Sequence, residues 1–154
     1  MPEGYLTRID DGRTYGEALL DASVIYVKYM DALLCAGVAP AYAAHITGHG
    51  WRKLMRLHEP FVYRMTSVPE PPAVLRFIGR AGPVDLREAY ATFNMGAGFA
   101  VYVDPADADR CLRLARETGY DAWVGGTVTR QGGRKAVEIV PLGITFEGDT
   151  LQVR

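Results

Sequence analysis

With 154 residues, a net charge of -1, 49% hydrophobic and 23% charged residues, the chain has the make-up of a single globular domain with a core of its own. That balance supplies no overall basic field, which argues against nucleic acid as partner and makes any anion recognition local. No apolar run reaches membrane-spanning length and the first residues lack secretory character, so no membrane and a cytoplasmic setting are expected.

The chain starts with a Gly-, Asp- and Arg-rich stretch in which Tyr5 to Ile9 reads as a short edge strand and Asp11-Gly12 as a turn. Tyr26, Tyr29, Met30, Leu33 and Leu34 then form a helical stripe, with Gly37 as stop and Pro40 just beyond. A strand is expected over 61–66. Pro69, Pro71 and Pro72 lead into a helix through Val74, Phe77, Ile78 and Ala81. Asp85 and Glu88 have capping-box spacing and open a helix through Leu86 and Tyr90. A strand over 99–103 precedes a helix capped by Asp104, with Pro105 at its first position and Gly119 at its end. Strands over 122–129 and 135–140 flank Gln131-Gly132-Gly133-Arg134, which reads as a hairpin turn. A last hairpin is expected between Ile144 and Val153, around Gly148-Asp149. Cys35 and Cys111 sit in helical patterns without metal spacing, and both read as buried, reduced thiols. The whole is α+β, a mixed or antiparallel sheet carrying helices.

One stretch carries candidate chemistry. The apolar run Tyr42-Ala43-Ala44-His45-Ile46 ends in Thr47-Gly48-His49-Gly50, and the basic amphipathic segment Trp51-Arg52-Lys53-Leu54-Met55-Arg56 follows. A turn that delivers the chain into a helix N-terminus presents free N–H groups and a positive dipole end to an anion, and Arg52 and Lys53 would add mobile cations. The same pattern also fits a plain strand-turn-helix connection whose glycines only permit positive φ. A second candidate, Thr92-Phe93-Asn94-Met95-Gly96-Ala97-Gly98, combines side chains that hydrogen-bond with glycines that let a ligand approach the backbone. By itself it also fits an Asn-containing turn leading into a strand. His45, His49 and His58 do not share a helical face, so no metal site is expected. Nor does the chain contain a nucleophile elbow or a GK[ST] phosphate loop.

These residues resemble a family. His45-Ile46-Thr47-Gly48-His49-Gly50 is similar to the HxTGGG turn in the C-terminal domain of phosphoribosylformylglycinamidine cyclo-ligase, also called aminoimidazole ribonucleotide synthetase. Residues 89–98 resemble its MYRTFNMGxG segment, Ile25-Tyr26-Val27-Lys28 its IYVK helix start, and Ala122 to Val128 its closing strand. The resemblance extends over residues 12–139. It implies a single layered α/β/α domain over 1–154, partly ferredoxin-like, with a variable segment at 1–11 and a C-terminal extension at 141–154.

The resemblance also implies purine biosynthesis, through ATP-dependent ring closure that activates a formyl oxygen by phosphorylation and then expels phosphate. His45, Thr47, Gly48, His49, Gly50, Arg52, Lys53, Thr92, Asn94 and Gly96 become the expected ribonucleotide- and phosphate-binding residues. ATP and magnesium are expected only with a partner N-terminal domain, either separately encoded or part of a longer enzyme, and no cofactor is expected on this chain alone. His49 stands where the family keeps its middle glycine, adding bulk and a titratable ring. Homo-oligomer formation, as a dimer, is expected through apolar surface. Two other readings remain: a non-catalytic binding or interaction domain that kept the fold, and another branch of the superfamily, such as selenophosphate synthetase or thiamine-phosphate kinase.

Overall fold

The computed structural model describes residues 3–151. Its larger sheet is built around strand β2 (Val62–Met65), with β4 (Gly126–Thr129) on one side and β5 (Ala136–Ile139) and β6 (Ile144–Glu147) on the other. β2 pairs antiparallel with β4 and parallel with β5, and β5 pairs antiparallel with β6. A second sheet of two antiparallel strands joins β1 (Tyr42–His45) to β3 (Phe99–Tyr102), in a register that sets Tyr42 opposite Tyr102 and His45 opposite Phe99. Helices α1 (Tyr15–Leu19), α2 (Val27–Cys35), α3 (Ala73–Ala81), α4 (Leu86–Thr92) and α5 (Ala108–Glu117) complete an α+β fold with two open sheets.

Local signals place the helices. Thr14 accepts the Glu17 N–H while Glu17 reaches back to the Thr14 N–H, a full capping box at α1. Asp85 accepts the Glu88 N–H at 2.8 Å, but the Glu88 carboxylate turns instead to the Thr92 hydroxyl, so α4 has half of the expected box. Asp104 caps a 3₁₀ turn over Pro105–Asp107 that runs on into α5.

The expected hairpin around Gln131 to Arg134 does not form. Arg134 donates to the Gln131 carbonyl at 3.1 Å, so the turn exists, yet β4 and β5 are not neighbours. β2 lies between them, and Val62 faces Thr129 on one side and Ala136 on the other. Val62 and Tyr63 are buried, and the central position covers them from both sides. The connecting residues therefore bridge two interstrand spacings, about 10 Å, where a hairpin would bridge one.

The chain end differs as well. The terminal hairpin is β5–β6, turned by Val140–Leu142 and Gly143, while Gly148–Thr150 is a 3₁₀ turn. Residues 144–147 pair with β5, and beyond them the Leu151 N–H donates back to the Gly148 carbonyl at 3.3 Å, which coils the chain instead of extending it; Val153 lies outside the described residues. At the other end, Gly4–Leu6 is a 3₁₀ turn and Arg8 makes a single bridge to Thr14 in place of an edge strand. The Asp11-Gly12 turn closes too early for more, since the Ile9 N–H already donates to the Arg13 carbonyl.

The main core gathers Trp51, Leu54, Met55, Tyr63, Tyr90, Val137 and Phe146. Tyr102 ties the small sheet to it: its ring meets Tyr63 edge-on at 5.6 Å, and its hydroxyl donates to the Leu54 carbonyl at 2.9 Å. A smaller core packs Tyr29, Leu33 and Val38 against Cys111 and Ala115 of α5. Leu34 is not part of the α2 core face, being 61% exposed. Cys35 is also exposed, contrary to the expectation of burial, because α2 turns Tyr29, Met30 and Leu33 towards the small core and Cys35 lies off that face.

Candidate functional site

His45 closes β1, and the chain then turns through Ile46 to His49 into Gly50–Met55. That segment is a 3₁₀ turn, not the expected α-helix. Its buried residues Trp51 and Leu54 are three apart, which brings them onto one face at three residues per turn. The helix-terminus argument for anion binding falls with the α-helix. The Gly50 N–H donates to the Thr47 carbonyl at 3.0 Å and the Arg52 N–H to the His49 carbonyl at 3.2 Å. Among the described residues, the Gly48 and His49 amides meet no acceptor. His49 takes a left-handed conformation with φ 77°, which a side chain adopts at a cost of about 1–2 kcal/mol.

The two sequence candidates come together as one unit. The Ile46 N–H donates to the Gly98 carbonyl at 2.9 Å, and the Trp51 indole donates to the Asn94 carbonyl at 2.8 Å. Gly50 lies so close to residues 90–93 that a Cβ there would stand 2.3 Å from the Tyr90 carbonyl oxygen. Arg52 extends over the same segment. Its Nη2 and Nε donate to the Ala91 carbonyl at 2.8 and 3.1 Å, and its Nη1 to the Thr150 carbonyl at 2.8 Å. It is a fixed clamp on backbone, not the mobile cation that its place beside the turn suggests.

Within the second stretch, the Asn94 carboxamide oxygen accepts the Gly96 N–H at 3.1 Å, and the Thr92 hydroxyl donates to Glu88 at 2.9 Å. Gly96 packs against the backbone of Glu70. The side chains of Thr92 and Asn94 are thus engaged within their own stretch and its helix.

The open cleft beside the turn, about 300 Å³, is lined by Tyr42, Ala43, Ala44, His45, Lys53 and Arg56. Lys53 donates to the Thr47 hydroxyl, and a small hollow next to it is bounded by His49, Lys53, Arg56 and Leu151. Burial lowers the Lys53 pKa from its ordinary value, and the neighbouring Arg56 charge lowers it further. His45 is exposed at the rim, 5.7 Å edge-on to Tyr26, whose ring stacks on Phe99 at 4.8 Å. No group of three His, Cys, Asp or Glu side chains able to hold a metal occurs among the described residues. Arg56 and Tyr42 were not singled out from the sequence. Arg56 was legible there as the residue three beyond Lys53, had the segment been read with a period of three.

The model of the AIR synthase related protein C-terminal domain matches residues 5–138. The chain belongs to that family. Among curated relatives, phosphoribosylformylglycinamidine cyclo-ligase of Methanothermobacter thermautotrophicus is 39% identical over 123 residues, which is 80% of this chain and 35% of that protein. The enzyme of the same name from Methanocaldococcus jannaschii is 37% identical over 122 residues, 79% of this chain and 35% of the relative. That of Agathobacter rectalis is 37% identical over 133 residues, 84% of this chain and 38% of the relative. The chain thus spans a little over a third of the length of these relatives. In this AIR synthase related domain, the turn at 47–50 and the stretch at 92–98 form one packed unit.

Proposed function

We propose that this chain serves as the C-terminal-type domain of an ATP-dependent cyclo-ligase of purine biosynthesis, binding the phosphate of a ribonucleotide substrate. The observation that carries this reading is the packing of Thr47–Gly50 onto residues 90–98, which leaves the Gly48 and His49 amides facing no acceptor among the described residues. Lys53 donates to the Thr47 hydroxyl beside those amides and His45 precedes them at the end of β1, while Trp51 and Arg52 fasten the segment after the turn to the Asn94 and Ala91 carbonyls. Thr92, Asn94 and Gly96 brace the facing stretch among themselves and their neighbours. Fixed donors around phosphate supply the orientation and charge stabilisation that ring closure with loss of phosphate demands. ATP and magnesium belong to an ATP-binding half of that enzyme. The parallel β2–β5 pair, whose connection runs through α3, α4, β3, α5 and β4, supports a layered α/β/α, partly ferredoxin-like arrangement over 1–154.

Exposed Leu20, Ile25 and Val27, at 85%, 70% and 70% of their surface, fit association with another protein surface, in a cytoplasmic dimer or against the ATP-binding half. The test is complementation. A purified ATP-binding half from the same genome is mixed with this chain, and ATP-dependent ring closure is followed. Activity of the mixture with none from either part is the expected result, and an inactive mixture in which the parts do form a complex would sink the proposal.

One observation favours a second reading, a binding domain without catalysis. His49 places a side chain where the turn would otherwise leave open backbone. Ribonucleotide binding with full affinity, together with no activity in the complemented mixture, would single out that reading.

A further inference from the structure

We propose that the cleft along β1, beside the turn, is a phosphomonoester subsite in which the side chains of Lys53 and Arg56 hold the dianion, Lys53 linking it to Thr47 of the turn. The identity of the ligand as a sugar phosphate rests on the function proposed above, while the site rests on its own geometry.

Lys53 and Arg56 are three residues apart. In a 3₁₀ turn that spacing sets them on one face, and both line the cleft. Six guanidinium groups elsewhere in the described chain meet carboxylates, among them three that each meet two. Arg13 meets Asp11 and Asp21, Arg76 meets Asp10 and Glu70, and Arg134 meets Glu138 and Glu147. Among the described residues, neither Lys53 nor Arg56 meets a carboxylate, and no Asp or Glu lines the cleft. Two cations held side by side repel, and Arg56 indeed lowers the Lys53 pKa. An anion of charge -2 between them removes that repulsion and gains charge-assisted hydrogen bonds.

The cleft has room for a small ligand. Tyr42 adds a ring and a hydroxyl to the lining, and Ala43 and Ala44 add no bulky side chain to it. About 300 Å³ lies at the lower bound of small-molecule sites and has room for a pentose phosphate. Arg56 is exposed and bonded to no described residue, so its replacement removes charge without removing a structural contact.

The experiment titrates the protein with ribose 5-phosphate and with ribose, by calorimetry or by amide shifts, at two salt concentrations. Wild type should bind the phosphate more weakly at high salt and should not bind ribose. Arg56→Gln and Lys53→Gln should each weaken binding about 10-fold, with Arg56→Lys recovering part of the loss. Unchanged thermal midpoints would show that the variants remain folded. Wild-type affinity in Arg56→Gln, or equal binding of ribose and its phosphate, would overturn the subsite. The two proposals fail separately. Ring closure in the complemented mixture with wild-type affinity in Arg56→Gln refutes the subsite alone, and an inactive complex with weakened Arg56→Gln binding refutes the catalytic reading alone.

Discussion

The Tyr26 hydroxyl occupies the space that a side chain on residue 98 would need: a Cβ built on Gly98 would stand 2.0 Å from it. The phenol cannot swing away freely, because its ring lies parallel to Phe99 at 4.8 Å and meets His45 edge-on at 5.7 Å. Gly98 also accepts the Ile46 N–H, so one small residue joins α2, β3 and the exit of β1. Gly98→Ala should lower stability by about 1–3 kcal/mol through overpacking. In a Tyr26→Phe background the same change should cost less, since the hydroxyl is gone. Urea unfolding of the four proteins in this cycle measures the difference. Equal costs in both backgrounds would show that the hydroxyl is not the obstacle.

Neighbouring positions in the turn should respond with opposite signs. Gly50 combines φ 50° with a Cβ position 2.3 Å from the Tyr90 carbonyl oxygen, and backbone does not move aside as a side chain would. Gly50→Ala should therefore cost about 3 kcal/mol or more. His49 has the left-handed φ without such a close neighbour, and its side chain makes no capping bond. His49→Gly should stabilise by about 1 kcal/mol as that strain is released. Denaturation midpoints of the pair decide, and a loss of stability in His49→Gly would mean that the imidazole makes a contact worth more than the strain.

Arg52 should prove structural. Its guanidinium fastens the Ala91 and Thr150 carbonyls, so Arg52→Met should lower stability by about 1.5–3 kcal/mol, the range for hydrogen bonds to a charged donor. Arg52→Lys should recover only part, because an ammonium cannot reproduce the planar fork. Hydrogen exchange at the chain end should rise in Arg52→Met, as the anchor of Thr150 is lost. Unchanged stability would refute the clamp.

Alkaline pH should weaken the fold. Burial pushes the Tyr29 phenol up to about 12, with Cys111 adding to it, and burial pushes the Tyr63 phenol up to about 12, with Tyr42 adding to it. Tyrosine in the unfolded chain ionises near about 10. Below that value both states keep the proton and the contribution is fully present. As pH rises from about 10 towards 12, the unfolded state loses protons that the native state retains, and stability falls. Urea midpoints at pH 9 and pH 11 should differ in that direction, and Tyr63→Phe should reduce the difference. A Tyr63→Phe protein with the wild-type alkaline slope would remove Tyr63 from the account.

The helices marked by caps and stop signals were legible because those signals act within one turn of chain, whereas α1 was not foreseen and the segment after Gly50 is a 3₁₀ turn. Asp85, Asp104, Gly37 and Gly119 stand where the sequence puts them. Strand partners were not legible from the same signals. The Gln131 to Arg134 turn has the chemistry of a hairpin and makes its local bond, but Val62 and Tyr63 require neighbours on both sides, and that need comes from residues 70 positions away. The candidate site divides in the same manner. Both motifs were visible as segments, while the engagement of Thr92 and Asn94 with their own neighbours was not.

By itself, then, the sequence determined the composition of the turn at 47–50, the caps, and the family to which both motifs point, since each depends on residues adjacent in the chain. Only the tertiary structure decided what each cation beside that turn does. Arg52 is held by carbonyls from residues 91 and 150, whereas Lys53 and Arg56 face a cleft without a carboxylate. The three sit within five residues of one another, and the difference lies in which distant backbone packs over each. A charge takes its role from the partners that folding brings within a few ångströms, and local pattern carries no record of them.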